Sequence, residues 1–297
     1  MKAVAYLAGI PPGNKNPEKP EVLKLFIQGV QASGDQGILH TGHNIIDCDV
    51  GFIQGWQHDQ GKSAPHLTLR KQVIDHQRAQ RKRLLVVDSN LFNYRGHNAY
   101  LRYSFDGVFP TTGTYFWDNP NPQRWQQISR DTGIALRDWR TQGSHILICT
   151  QRNGGWSMQG HNVVAWLDAT IAKLRKYTDR PIRVRAHPGD KAAAQYLAGR
   201  NISTNLELVD DLQNAWAVVT YNSTPSVAAS IEGIPAFITD PNPMNSQSYG
   251  IANTDLSKIE NPDLLERQHW VEKLAMCHWN RSELASGAAW QHFRQYV

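Results

Sequence analysis

The chain has 297 residues, 40% of them hydrophobic and 19% charged, with a mean hydropathy of −0.51. These values exclude disorder as the general state, and the length suits two domains of about 150 residues each. The formal net charge is +5 and falls unevenly: residues 1–143 hold 17 Lys and Arg against 12 Asp and Glu, whereas residues 144–297 hold 14 of each. A surplus confined to one half points to an anionic partner for that half. No run reaches the roughly 18 apolar residues of a membrane span, and the start, MKAVAYLAGIPPGNK, has no long apolar stretch and no small-residue cleavage site. Cys48, Cys149 and Cys277 are far apart and odd in number, so they are neither a disulfide framework nor a zinc spacing. A cytoplasmic protein without a membrane span is expected.

Strand–helix alternation runs along the chain, the pattern of α/β folds with parallel sheets. It predicts a strand over 2–10, a helix over 21–33, a Gly34-Asp35 turn and a strand over 36–41. A buried strand over 49–56 ends in Trp56, a helix covers 66–82, and RLLVVDSN (83–90) is a short buried strand. Residues 92–117 carry many aromatics and read as loop, with a helix over 124–139 after them. Thr141-Gln142-Gly143 is the expected boundary, which gives domains 1–143 and 144–297. The second domain restarts with a strand over 145–151, the Gly-rich loop RNGGWSMQG, a helix over 161–176, and a strand that ends in His187-Pro188. A helix near 190–198, a strand near 206–209, a strand over 217–221, a helix over 224–232 and a strand over 235–239 follow. The tail, 262–294, reads as helical and holds three of the ten tryptophans.

The most informative segment is Val218-Val219-Thr220-Tyr221-Asn222-Ser223-Thr224-Pro225. An apolar strand stops, hydroxyl residues follow, and a helix opens with proline in its first turn, where a missing N–H costs nothing. A helix N-terminus with hydroxyl donors is an anion site, although Asn, Ser and Thr are also ordinary N-caps. Glu232-Gly233-Ile234-Pro235 lies at the far end of the same helix.

This order of motifs, with Arg185, His187 and Pro188 before it, resembles the nucleotide-sugar-binding half of GT-B glycosyltransferases, in particular bacterial capsule and sialic-acid transferases. The match covers roughly residues 145–240. The resemblance implies an α/β chain of two Rossmann-like domains facing each other across a cleft, with the donor in the second. It implies that Arg185 and His187 contact the nucleotide or its phosphates, that Asn222, Ser223 and Thr224 cradle the phosphate, and that Glu232 reaches the ribose. Thr150, Gln151, Arg152, Asn153, Gly154 and Gly155 would form the first phosphate loop, with glycine backbone and the Arg152 guanidinium approaching the anion. The Glu-x7-Glu pattern of retaining members is missing, because position 224 is Thr, which favours inversion. Asp47 and Asp49 have Asp-x-Asp spacing but lead into a strand and read as a surface turn, so neither a metal nor another cofactor is expected.

An inverting transferase needs a group that takes the acceptor hydroxyl proton. Asp88 ends an apolar strand, where open α/β sheets place their chemistry. Asp106 is a rival if its loop folds into the cleft, and Asp35 precedes its strand and reads as a turn residue. His58, Asp59 and Lys62 follow Trp56 and line an acceptor path in this reading. Arg70, Lys71, Arg78, Arg81, Lys82 and Arg83 form a basic run with Asp75 as its one acid. A solvated helix face explains many such runs, but basic groups near aromatics also suit nucleic acid. The first half vaguely resembles phage-encoded proteins with a strand ending in Asp before a Tyr-rich loop. The acceptor expected on that basis is a hydroxymethylated pyrimidine in duplex DNA. The alternatives are a cell-surface polysaccharide acceptor, or a non-catalytic nucleic-acid-binding protein on the same fold.

Overall fold

The computed structural model describes residues 1–11, 13, 18–56, 64–96, 100–109, 113 and 119–297. Its strands are β1 (Lys2–Tyr6), β2 (Gln36–His40), β3 (Val50–Gln54), β4 (Arg83–Asp88), β5 (Tyr100–Phe105), β6 (His145–Cys149), β7 (Ile182–Arg185), β8 (Ala215–Thr220), β9 (Ala236–Ile238) and β10 (His278–Asn280). Its helices are α1 (Glu18–Ala32), α2 (Pro65–Ala79), α3 (Pro122–Thr132), α4 (Val163–Leu174), α5 (Ala193–Tyr196), α6 (Leu208–Leu212), α7 (Pro225–Ile231), α8 (Gln268–Met276), α9 (Arg281–Ser286) and α10 (Ala288–Phe293). No helix among the described residues is long and apolar enough to cross a membrane.

The chain divides into two compact units, Met1–Asn90 with Asn98–Asn119 and Lys273–Val297, and Leu91–His97 with Pro120–Glu272. This differs from a single cut at Gly143. The C-terminal helices belong to the first unit because Trp290 and Phe293 are buried in its core, with Phe26 and Phe52. By this division the first unit carries 15 basic and 11 acidic residues and the second 16 and 15, so the surplus stays with the first.

In the first unit the sheet order is β10-β5-β4-β3-β1-β2. Strands β2, β1, β3 and β4 are parallel, β5 runs antiparallel to β4, and β10 antiparallel to β5. The continuous apolar runs of β1, β3 and β4 are what a parallel strand covered on both faces requires. Val22, Leu23, Phe26, Ile27 and Val30 recur at helical spacing on α1 and are all buried. The Phe26 ring packs 4.3 Å from Phe52 and meets Trp290 edge-on at 5.7 Å. A Cβ on Gly29 would stand 1.9 Å from the carbonyl oxygen of Leu284, so glycine allows α1 and α9 to touch backbone to backbone.

The second unit holds an all-parallel sheet in the order β7-β6-β8-β9. Ile146, Ile148, Val184, Val219 and Phe237 from its strands pack with Leu167 and Leu174 of α4. Asn162 caps α4 by accepting the Val164 and Ala165 N–H groups at 2.9 and 3.1 Å.

Three expectations are corrected. Part of the aromatic region read as loop is strand β5, whose Tyr100, Tyr103 and Phe105 are buried. The expected strand near 206–209 is instead the entry to helix α6, and Leu206 is 89% exposed. The helix expected over 124–139 stops at Thr132, where Gly133 takes a left-handed conformation (φ 67°).

Candidate functional site

In the second unit Cys149, Arg185, Thr220 and Ile238 are linked by strand register, so β6, β7, β8 and β9 end level with one another. The segments that leave this edge carry the residues expected to bind the donor. Gln151 is buried and joins two of them: its Nε2 donates to Ser157 Oγ at 2.6 Å, and its Oε1 accepts the Asn222 N–H at 3.1 Å. Asn222 is buried as well, and its Nδ2 donates to Asp240 Oδ2 at 2.7 Å and to the Ser157 carbonyl at 3.2 Å. Gln151 and Asn222 therefore shape the edge from behind.

Arg152 is exposed at the same edge, and its guanidinium lies against Gly189: a Cβ there would come within 2.6 Å of Nη2 and 3.1 Å of the His187 ring. His187 Nδ1 accepts the Gly189 N–H at 3.0 Å, so the neutral ring carries its proton on Nε2. Burial, and then the Arg152 charge, hold the His187 pKa below its ordinary value. The Asn153 N–H donates to Asp190 Oδ2 at 2.8 Å, and Gly154 is exposed with φ 68° and an open surround. Asp190 is raised by burial but pulled below its usual value overall by hydrogen bonds from Tyr196 and the N–H groups of Asn153 and Ala192.

Ser223 Oγ is buried and has no hydrogen-bond partner among the described residues, as is true of the Tyr221 hydroxyl. Burial raises the Tyr221 pKa to about 12, so it is a donor at neutral pH. Thr224 caps α7 without a side-chain bond. The helix end offers less backbone than the sequence suggests, because Ser226 N–H turns back to Ser223 O at 3.1 Å and Val227 N–H to Thr224 O at 2.8 Å.

Two expected donor contacts are committed elsewhere. Arg185 donates to buried Asp211 and to the carbonyls of Asn205 at 3.1 Å and Leu206 at 2.7 Å. It anchors the turn into α6. Glu232 is buried, and its Oε1 accepts from the Tyr94 hydroxyl at 2.9 Å and from Arg95 Nη2 at 2.7 Å. It holds Tyr94 and Arg95 against the end of α7.

In the first unit Asp88 ends β4, as expected. Its Oδ2 accepts from Arg102 Nη2 at 2.9 Å and its Oδ1 from the Ser89 N–H at 2.7 Å. Asp106 lies at the other edge of the sheet. Because β5 runs antiparallel to β4, its end falls beside Leu84, where Asp106 accepts from Arg83 Nη1 at 2.7 Å and Leu84 N–H at 3.0 Å. That removes Asp106 as a rival base. Asp35 accepts from the Met1 amine at 2.7 Å, Trp290 Nε1 at 2.7 Å and Arg294 at 3.0 Å, and it is a structural turn residue. Asp47 meets Lys82 at 2.7 Å and Asp49 accepts the Lys2 N–H at 2.8 Å. No cluster of three metal-ligating side chains occurs among the described residues.

Half of the basic run is ion-paired. Lys71 meets Asp75 at 2.9 Å, Lys82 meets Asp47, and Arg83 meets Asp106. Arg78 and Arg81 are exposed beside a cavity of about 240 Å³ that Trp56, Ile74 and Leu84 also line. Arg70 turns inward, with Nε donating to the Gly9 carbonyl at 2.7 Å. His58, Asp59 and Lys62 lie outside the described residues. Arg102 and His66, beside Asp88 and Arg70, escaped the sequence reading; the four-residue spacing of His66 and Arg70 on one helix face was the available signal.

No protein-family model and no curated protein matches the chain. Solved structures do. A Thermosulfurimonas dismutans KpsC, described as a β-Kdo 2,7 transferase, aligns with TM-score 0.54 and 13% identity over 98% of this chain and 99% of that one. The β-Kdo 2,4 transferase of the same organism aligns with TM-score 0.53 and 13% identity over 93% of this chain and 90% of that one. At such identity the likeness is one of fold: the chain has the GT-B architecture, with two Rossmann-like units.

Proposed function

We propose that this protein is a glycosyltransferase that moves a sugar from a nucleotide-activated donor, bound by the second unit, to a carbohydrate acceptor bound by the first. The observation that carries the reading is the level strand edge of the second unit. There Arg152, the Nε2–H of His187 and the Ser223 hydroxyl are all donors without an acceptor among the described residues. The buried Ser223 hydroxyl is costly unpaired unless a ligand satisfies it, and a leaving phosphate supplies acceptors for it and for the more exposed Arg152 and His187. The GT-B fold shared with two sugar transferases agrees with this chemistry.

Transfer then proceeds as a displacement. The acceptor oxygen attacks the anomeric carbon while its proton passes to Asp88, and the bond to phosphate breaks with its electron pair on the phosphate oxygen. Asp88 keeps lone pairs beyond those used by Arg102 and Ser89. Arg152 and His187 stabilise the charge on the departing nucleotide without a metal in this scheme, and the single displacement inverts the anomeric centre. A carbohydrate acceptor fits better than duplex DNA, because three of the six cations of the basic run are neutralised by Asp75, Asp47 and Asp106.

Thermal denaturation with UDP-, GDP- and CMP-sugars tests the reading. A nucleotide at 100 times its Kd adds about 2.7 kcal/mol, and Arg152→Gln should remove most of that gain. No stabilisation by any nucleotide contradicts the proposal.

A further inference from the structure

The first unit contains a half-buried cation whose guanidinium ends lack a partner among the described residues. Arg70 leaves α2 and enters the carboxyl edge of the sheet, where its side chain lies along Gly9, just after β1, and Gly55, just after β3. A Cβ at Gly9 would be 3.6 Å from Arg70 Cγ, and one at Gly55 would be 3.0 Å from Nη1. Gly55 also has φ 74°, so both its conformation and its missing side chain make room for the guanidinium. Nε is satisfied by the Gly9 carbonyl, but Nη1 and Nη2 have no hydrogen-bond or ion-pair partner among the described residues. Asp88 is near enough to act through its field without forming an ion pair with Arg70.

Burial lowers the Arg70 pKa to about 10, a desolvation that the Asp88 charge only partly offsets. Next to it His66 has a buried Nδ1 with no partner among the described residues, and burial together with the Arg70 charge lowers its pKa. Arg70 at the strand edge and His66, one helical turn before it, thus both carry nitrogens without a partner among the described residues. A partly desolvated guanidinium whose nearby carboxylate, Asp88, stands off without pairing gains from an anion that meets its free edge.

We propose that Arg70, flanked by His66, is a built oxyanion site that takes a carboxylate or phosphate carried by the acceptor substrate. The planar fork of Nη1 and Nη2 matches either group in a bidentate arrangement. The site deepens the transferase reading, on which it rests for the word acceptor, by making the acceptor an acidic one. The remaining guanidinium edge aligns its anion while the reacting hydroxyl goes to Asp88. The bland alternative is that Arg70 only ties α2 to the end of β1.

Hydrogen–deuterium exchange separates the two, with inorganic phosphate and glucuronate as probes at matched ionic strength against chloride. In the wild-type protein a probe at ten times its Kd should slow exchange in residues 64–79 about tenfold, and Arg70→Gln should abolish the effect. Arg70→Lys, which keeps the charge but not the fork, should retain a small part and serves if the glutamine variant does not fold. Protection by phosphate alone or by glucuronate alone assigns the anion; either supports the site. No protection of residues 64–79 in the wild type, or equal protection in Arg70→Gln, overturns it. The nucleotide stabilisation described above is independent of Arg70, so its absence would sink the transferase reading while leaving the anion site standing.

Discussion

Arg102 Nη2 donates to Asp88 Oδ2 at 2.9 Å, and the two residues are register partners across β4 and β5. The antiparallel strand thus places a buried cation against the carboxylate proposed as proton acceptor. Asp88→Asn should lower kcat by about 10²–10⁴ while nucleotide affinity is unchanged, as expected for loss of a general base. It should also cost about 1–2 kcal/mol, less than a fully buried pair, because the Asp88 side chain is 34% exposed. Steady-state kinetics and urea denaturation of the same variant check both numbers, and an active variant removes Asp88 from the chemistry.

Glu232 provides a contrasting case. It is occupied by Tyr94 and Arg95, so Glu232→Gln should destabilise by about 2 kcal/mol through the weakened buried contacts. Its effect on nucleotide Kd should be negligible. A large loss of nucleotide affinity without loss of stability would restore the ribose contact that the motif resemblance implies.

Gly29→Ala tests the packing that joins the C-terminal helices to the first unit. The new methyl group would meet a backbone carbonyl at 1.9 Å, which neither helix can relieve by changing a rotamer. A loss of about 3 kcal/mol is expected, read as a fall in the urea midpoint. A change under about 0.5 kcal/mol, the range of ordinary surface substitutions, would contradict the close approach of α1 and α9.

His66, His145 and His187 are all held below the ordinary histidine pKa, chiefly by burial. Below about pH 6.5 the unfolded chain binds protons at these sites that the folded chain resists. Their contribution to stability is therefore fully present above that pH and is lost as pH falls towards the folded values. Urea midpoints measured from pH 7.5 downward should decline, and His187→Asn should flatten part of the decline. An unchanged slope in that variant contradicts a neutral, buried His187.

Much of the alternation of the second unit was legible because β6, β8 and β9 are short apolar runs and α3, α4 and α7 begin at an asparagine cap or a proline. Helix α6, with neither, was not. The loops after β6, β7 and β8 carried the motif residues in plain view. What the sequence hid was the direction of side chains. Arg185 and Arg152 look equally available in the sequence, but buried Asp211 captures only Arg185. Strand β5 was hidden by its tyrosines and by the loop signals around it. Its antiparallel direction decides that Asp106 stands beside Arg83 at the far edge while Arg102 reaches Asp88. The basic run looked uniform because the acids that pair with Lys82 and Arg83 lie 35 and 23 residues away in the chain.

Mass spectrometry of carbohydrate acceptors incubated with the protein and a panel of nucleotide sugars tests the central claim most directly. The account predicts an acceptor heavier by one sugar residue, an equal amount of released nucleotide, and loss of both in Asp88→Asn and Arg152→Gln. Unchanged acceptors and intact nucleotide sugars across the panel, from a protein that no nucleotide stabilises, would contradict it.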